Sequence, residues 1–214
     1  MDLPEVYSLE IKKAKTGTPV PVINGVHLHS AYNPQKEADS LIEKYDELLK
    51  STPNALVLGL GMGYHVMALQ NKLSTYHPGN WNIFVIDPYT ELYDKTMEEN
   101  EINTERVRIH VGKSISELYH DLSFVKFLVS KPAVISHAAS FNLYENYFRE
   151  FLTHKEGTSM DEISNVISSP TLRDYLTAQD KEQNFEEFLN MRARSTQIEE
   201  FDHLALALKE MSQH

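Results

Sequence analysis

Leu56-Val57-Leu58-Gly59-Leu60-Gly61-Met62-Gly63 decides the fold of this chain. Three consecutive apolar residues make a short buried strand, and the three alternating glycines that follow cannot continue it. Glycine accepts positive φ and lets another group approach the backbone closely. A helical pattern begins at Tyr64, with Val66, Leu69 and Leu73 on one face. Strand, glycine turn and helix in this order open a parallel α/β unit, and the free N–H groups of the helix start point at whatever occupies the turn.

Working outward, the same alternation repeats. Ile83–Ile86 reads as a strand ending at Asp87-Pro88, Tyr89–Glu99 as a helix and Val107–Val111 as a strand. Ser114–Leu128 reads as one helix, Ala133–Ser136 as a strand, and a further helix follows near Leu143–Leu152. Upstream, Asn33-Pro34 is an N-cap followed by a first-turn proline. It starts a helix with Ala38, Leu41, Ile42, Tyr45, Leu48 and Leu49 in one stripe, ended by Pro53. Before that, Val20–Ile23 has strand residues among prolines, which suits an edge strand, and Asn24-Gly25 turns it into Val26–Ser30. The expected organisation is a strand or hairpin lead over residues 1–30, a Rossmann-like three-layer α/β domain with a mainly parallel sheet over 31–156, and a helical extension over 157–214. The last amphipathic pattern, Ile198, Phe201, Leu204, Ala205, Leu208 and Met211, docks on its own domain or pairs two chains as a homodimer; docking is the favoured expectation.

Composition narrows the function classes. The 214 residues carry a formal net charge of −11, with acidic residues spread along the chain and no basic run, so nucleic acid and anionic membrane are disfavoured partners. No cysteine is present, which removes disulfides, thiolate metal sites and cysteine nucleophiles. The start Met1-Asp2-Leu3-Pro4-Glu5 lacks the basic-then-apolar order of a secretory signal, and a cytoplasmic location is expected. There is no G-x-S-x-G, H-E-x-x-H or EF-hand loop. The phosphate-loop pattern is also absent, and Val66 stands where the dinucleotide fingerprint needs a small third residue.

What remains is G-x-G-x-G, which resembles the first motif of class I S-adenosylmethionine-dependent methyltransferases. Asp87, at the end of the second strand of that unit, occupies the position from which a carboxylate accepts both ribose hydroxyls. The departure is Val57, where those enzymes commonly carry an acid.

Two stretches read together resemble a narrower family. Leu28-His29-Ser30-Ala31-Tyr32-Asn33-Pro34-Gln35-Lys36-Glu37-Ala38 precedes a helix, and Leu58-Gly59-Leu60-Gly61-Met62-Gly63-Tyr64-His65 follows it. The order H-S-x-Y-x-P-x-x-E-A, helix, G-L-G-x-G-Y-H, then a strand ending in an acid-Pro pair is similar to the amino-terminal Rossmann-like domain of the motility-associated factor (Maf) proteins. The resemblance covers roughly residues 25–150. It implies a role in flagellin glycosylation and a nucleotide-type small-molecule ligand. In full-length members the transferase activity is expected in a second domain.

The candidate binding set is therefore Gly59, Gly61, Gly63, Tyr64, His65, Asp87 and His137, around S-adenosylmethionine, a nucleotide or a nucleotide sugar. His65 lies just inside the helix and either faces the ligand or packs. His137 ends the fourth strand, where open α/β sheets place ligand groups. His27 and His29 share a strand face without a visible third ligand and read as an exposed pair, so no metal site is assigned, and His110 reads as a packed or surface residue within its strand. No catalytic residue is assigned. A scaffold that keeps the fold without a ligand is the third reading.

Overall fold

A computed structural model describes residues 8–154. The compact unit that contains them ends at His154. The helical extension expected over 157–214, and with it the docking or homodimer pairing of its last helix, lie outside the described residues.

Three strands, β1 (Leu9–Lys13), β2 (Pro19–Ile23) and β3 (Val26–His27), form an antiparallel sheet in that order. Next come α1 (Pro34–Glu43) and α2 (Asp46–Ser51). The β/α units follow: β4 (Asn54–Leu58), α3 (Tyr64–Tyr76), β5 (Asn82–Asp87), α4 (Tyr93–Glu99) and β6 (Val107–Val111). Then come α5 (Ile115–His120), α6 (Leu122–Val129), β7 (Ala133–Ser136), α7 (Ala138–Leu143) and α8 (Glu145–Thr153). The second sheet is parallel, in the order β6-β5-β4-β7. The fold is a Rossmann-like α/β domain.

Alternation along the central strands builds two cores. Ala55, Val57, Ile83 and Val85 face one side and pack with Ala38 and Ile42 of α1 and Val66, Leu69 and Leu73 of α3. Leu56, Leu58, Phe84 and Ile86 face the other and pack with Leu118, Phe124, Phe148 and Phe151. Strands buried on both faces read as continuous apolar runs, which is why β4 and β5 are legible.

Several expectations shift. Val20–Ile23 is a central strand of its sheet, not an edge: β1 pairs all of β2, while β3 pairs only Val22 and Ile23, leaving the prolines largely outside the second ladder. The single helix from Pro34 to Pro53 is two. Asn33 caps the first as expected, its side chain accepting from Lys36 N–H at 3.0 Å. The chain then tightens, with Tyr45 N–H bonding the Ile42 carbonyl, and Leu48 leaves the apolar stripe for solvent. Ser114–Leu128 also breaks, because Asp121 accepts from Ser123 and Phe124 N–H and caps a new helix. The segment near Leu143–Leu152 breaks at Tyr144. Helix α3 runs on to Tyr76, and α4 starts at Tyr93 because Asp87 holds Tyr89 N–H in a turn.

Candidate functional site

The sheet order changes direction beside β4. From β4 the chain moves outward through β5 to β6, then returns to place β7 on the other side of β4. A crevice at the carboxyl ends of β4 and β7 is where an open α/β sheet takes its ligand. Both the glycine turn after β4 and His137 after β7 lie there.

The turn itself is packed from within. Gly59, Gly61 and Gly63 have φ of +98°, +51° and +75°. A Cβ on Gly59 would lie 2.4 Å from the Ser140 Cβ, one on Gly61 would lie 2.6 Å from His29 Nε2, and one on Gly63 would lie 2.8 Å from the Thr96 methyl. The close approach that glycine permits is here an approach by the protein's own side chains. Asp87 is buried, and its carboxylate turns toward the same loop. It accepts from Leu60 N–H at 2.7 Å and Tyr89 N–H at 2.8 Å, with Gly61 N–H adding to these. Burial pushes its pKa up to about 6 against the pull of those donors.

Three histidines meet over the turn. His29 comes from the segment after β3, His65 from the first turn of α3 and His137 from the end of β7. All are buried, and their ligand nitrogens lie within 4.8 Å of one another. The rings of His65 and His137 stack 4.5 Å apart and 5° from parallel, and those of His29 and His137 lie 4.7 Å apart. The tautomers follow from the partners. Met62 N–H donates to His29 Nε2 at 2.8 Å, so the proton of that ring sits on Nδ1, 3.9 Å from Glu37 Oε2. His65 Nε2–H donates to the Gly59 carbonyl at 2.8 Å, which leaves Nδ1 unprotonated, buried and without a partner among the described residues. His137 Nδ1 pairs with the Ser140 hydroxyl at 2.8 Å, and the Leu28 backbone is the ring's other partner. Burial and then the neighbouring His65 hold His29 down to about 3. Burial holds His65 at about 4 and His137 well below the ordinary value. All three are neutral at pH 7.

Of the candidate set, Gly59, Gly61, Gly63, Tyr64, His65, Asp87 and His137 converge on this end of the sheet. Tyr64 sets its ring edge-on to His29 at 5.0 Å and donates its hydroxyl to the Pro19 carbonyl. His27 does not join its strand partner; it is exposed while His29 is buried. The expectation of an exposed His27–His29 pair fails at His29, which is buried and links the two halves of the site. No spacing rule could reveal this, because its hydrogen-bond donor Met62 lies 33 residues away and the rings of His65 and His137 lie further still. His110 stacks on Phe84 at 5.4 Å, far from the cluster in function: it packs within its strand.

Beside the cluster lies a cleft of about 560 Å³. His29 and His137 form its inner wall, and Ser30, Glu37, Ser40 and Lys44 line its mouth. Among the described residues no helix is long and apolar enough to cross a membrane.

No family model matches the sequence, and no curated protein matches it. Among solved structures, the crystal structure of MNMC2 from Aquifex aeolicus aligns with a TM-score of 0.39 at 15% identity, over 76% of this chain and 64% of that one. The chain therefore spans less than two thirds of that structure's length.

Proposed function

We propose that this chain is a Maf-like Rossmann domain. It takes a nucleotide-type small molecule in the cleft beside the histidine cluster and acts, in the cytoplasm, in a protein-glycosylation or motility context. One observation carries the reading: the two stretches that bear the Maf resemblance, 30 residues apart in sequence, fold into a single lock. His29 accepts from Met62 N–H of the glycine turn. Ser30 Oγ accepts from Tyr32 and Asn33 N–H, and the Glu37 carboxylate accepts from Ser30 N–H at 2.7 Å. Pro34 begins α1, and Ala38 packs in the core. His29, Ser30 and Glu37 of the first stretch thus line the cleft and are tied to one another or to the glycine turn. The cleft has the volume of an ordinary small-molecule site, with Lys44 available to a phosphate and Ser40 and Glu37 to hydroxyl groups.

The scaffold reading has its own support in the glycine turn, whose close-approach space is filled by His29, Ser140 and Thr96. The S-adenosylmethionine reading keeps the sheet order and the position of Asp87, but the Asp87 oxygens already serve Leu60 and Tyr89.

Isothermal titration of the full chain with nucleotides, nucleotide sugars and S-adenosylhomocysteine separates the three. Nucleotide or nucleotide-sugar binding weakened about tenfold or more by Lys44→Ala, an exposed position, is the expected result. S-adenosylhomocysteine binding that Asp87→Ala abolishes would transfer the assignment to the methyltransferases. Silence across the whole panel would leave the scaffold.

A further inference from the structure

We propose that His29, His65 and His137 form a site for one divalent transition metal ion of the zinc class. This inference is independent of the small-molecule reading and concerns the inner wall of the cleft rather than its mouth.

The donor set fits the chemistry. Three neutral imidazoles are the ligands of a borderline metal, and three protein ligands leave a fourth position for water. Their nitrogens already lie within 4.8 Å of one another, against about 3.4 Å for ligands sharing a tetrahedral ion. His65 Nδ1 is a buried lone pair that nothing among the described residues uses. His65 has the outer hydrogen bond that orients a metal-bound histidine, and His29 has a carboxylate 3.9 Å from its outer nitrogen. The Gly59 carbonyl takes the Nε2 proton of His65, which fixes the tautomer that exposes Nδ1. The Glu37 carboxylate faces the Nδ1 proton of His29, which exposes Nε2. The cleft touches His29 and His137, giving an ion a way in and its fourth ligand a source of water.

Loading exchanges contacts rather than building the site anew. Met62 N–H releases His29 Nε2, and the Ser140 hydroxyl releases His137 Nδ1. An ion lies in the plane of each ring that binds it, whereas the His65 and His137 rings are stacked. One ring must therefore turn about its Cβ–Cγ bond. His137, at the junction of β7 and α7, is the one that turns, giving up its Ser140 and Leu28 partners, because His65 sits inside the first turn of α3 with its free Nδ1 already available.

The test uses the full chain after chelator treatment, with no nucleotide present. Co2+ should bind at one equivalent with the intense visible bands of a tetrahedral site, Zn2+ should displace it, and Zn2+ should raise the melting temperature. His65→Ala should weaken binding about a hundredfold, whereas His27→Ala and His120→Ala, at exposed positions, should not. Should His65→Ala fail to fold, imidazole nitrogen NMR of the native chain decides: Zn2+ must move the His65 Nδ1 resonance and leave His27 and His120 in place. Absence of stoichiometric cobalt bands, bands that survive in a folded His65→Ala variant, or a Zn2+ response confined to the exposed histidines would each overturn the proposal.

Discussion

Gly61→Ala separates a turn that cradles a ligand from a turn that locks the fold. At φ of +51° an L residue costs about 1–2 kcal/mol before any contact is considered. The new Cβ would stand 2.6 Å from His29 Nε2 and 3.1 Å from its Cε1. His29 must then move away, and Met62 N–H, buried in the turn, loses its acceptor at a further cost of about 1–3 kcal/mol. The total is roughly 2–5 kcal/mol, a large part of the stability of an ordinary domain. Gly79→Ala is the control: its φ is +72°, but its Cβ would meet nothing within 4 Å, so only the backbone cost of about 1–2 kcal/mol applies. Urea unfolding followed by Trp81 fluorescence measures both, since this is the chain's one tryptophan and it is buried in the domain core. The lock predicts that Gly61→Ala loses at least about 1 kcal/mol more than Gly79→Ala. Equal losses would refute it, and a Gly61→Ala protein of full stability that had merely lost a ligand would restore the cradle.

Two further outcomes follow from the same geometry. The histidines are held at about 3, at about 4 and well below the ordinary value, so the unfolded chain protonates first; their contribution is complete above about pH 6.5 and is lost as pH falls. His29 and His65 each cost about 2 kcal/mol between pH 7 and 5, His137 adds in the same direction, and Asp87, raised to about 6, takes its proton first in the folded state and returns about 1 kcal/mol. Urea midpoints should therefore drop across that range by the equivalent of at least roughly 3 kcal/mol, and a flat profile would contradict the buried neutral cluster. On the opposite face of the sheet, Phe124 is fully buried against Phe84 and Phe151, and Phe124→Ala should cost about 3–5 kcal/mol by the same assay without altering Co2+ or nucleotide binding.

The helix errors share a cause. Asp121 and Tyr45 each sit inside a continuous apolar pattern, and periodicity passes through a one-residue break without registering it. At Asp121 the break is a capping side chain, which a local reading could have found, since aspartate is among the preferred N-cap residues. At Tyr45 it comes from long-range contacts: Lys72 of α3 bridges Glu43 and Asp46 and draws α2 onto α3. The site divides in the same way. Gly59, Gly61, Gly63, Asp87 and His137 were legible as residues at the carboxyl ends of strands, because position along a β/α unit is local information. What they touch was not.

The sequence by itself determined the parallel α/β architecture, the strand ends and the glycine turn, because buried strands, caps and positive φ act over a few residues. Only the tertiary structure decided that the space beside those glycines belongs to His29, Ser140 and Thr96, and that Asp87 turns inward to Leu60 and Tyr89. A glycine that makes room for a ligand and one that makes room for a histidine have the same φ. The difference lies in which distant side chain the fold delivers to the gap, and that is set by how β3, β7 and α4 pack around the turn.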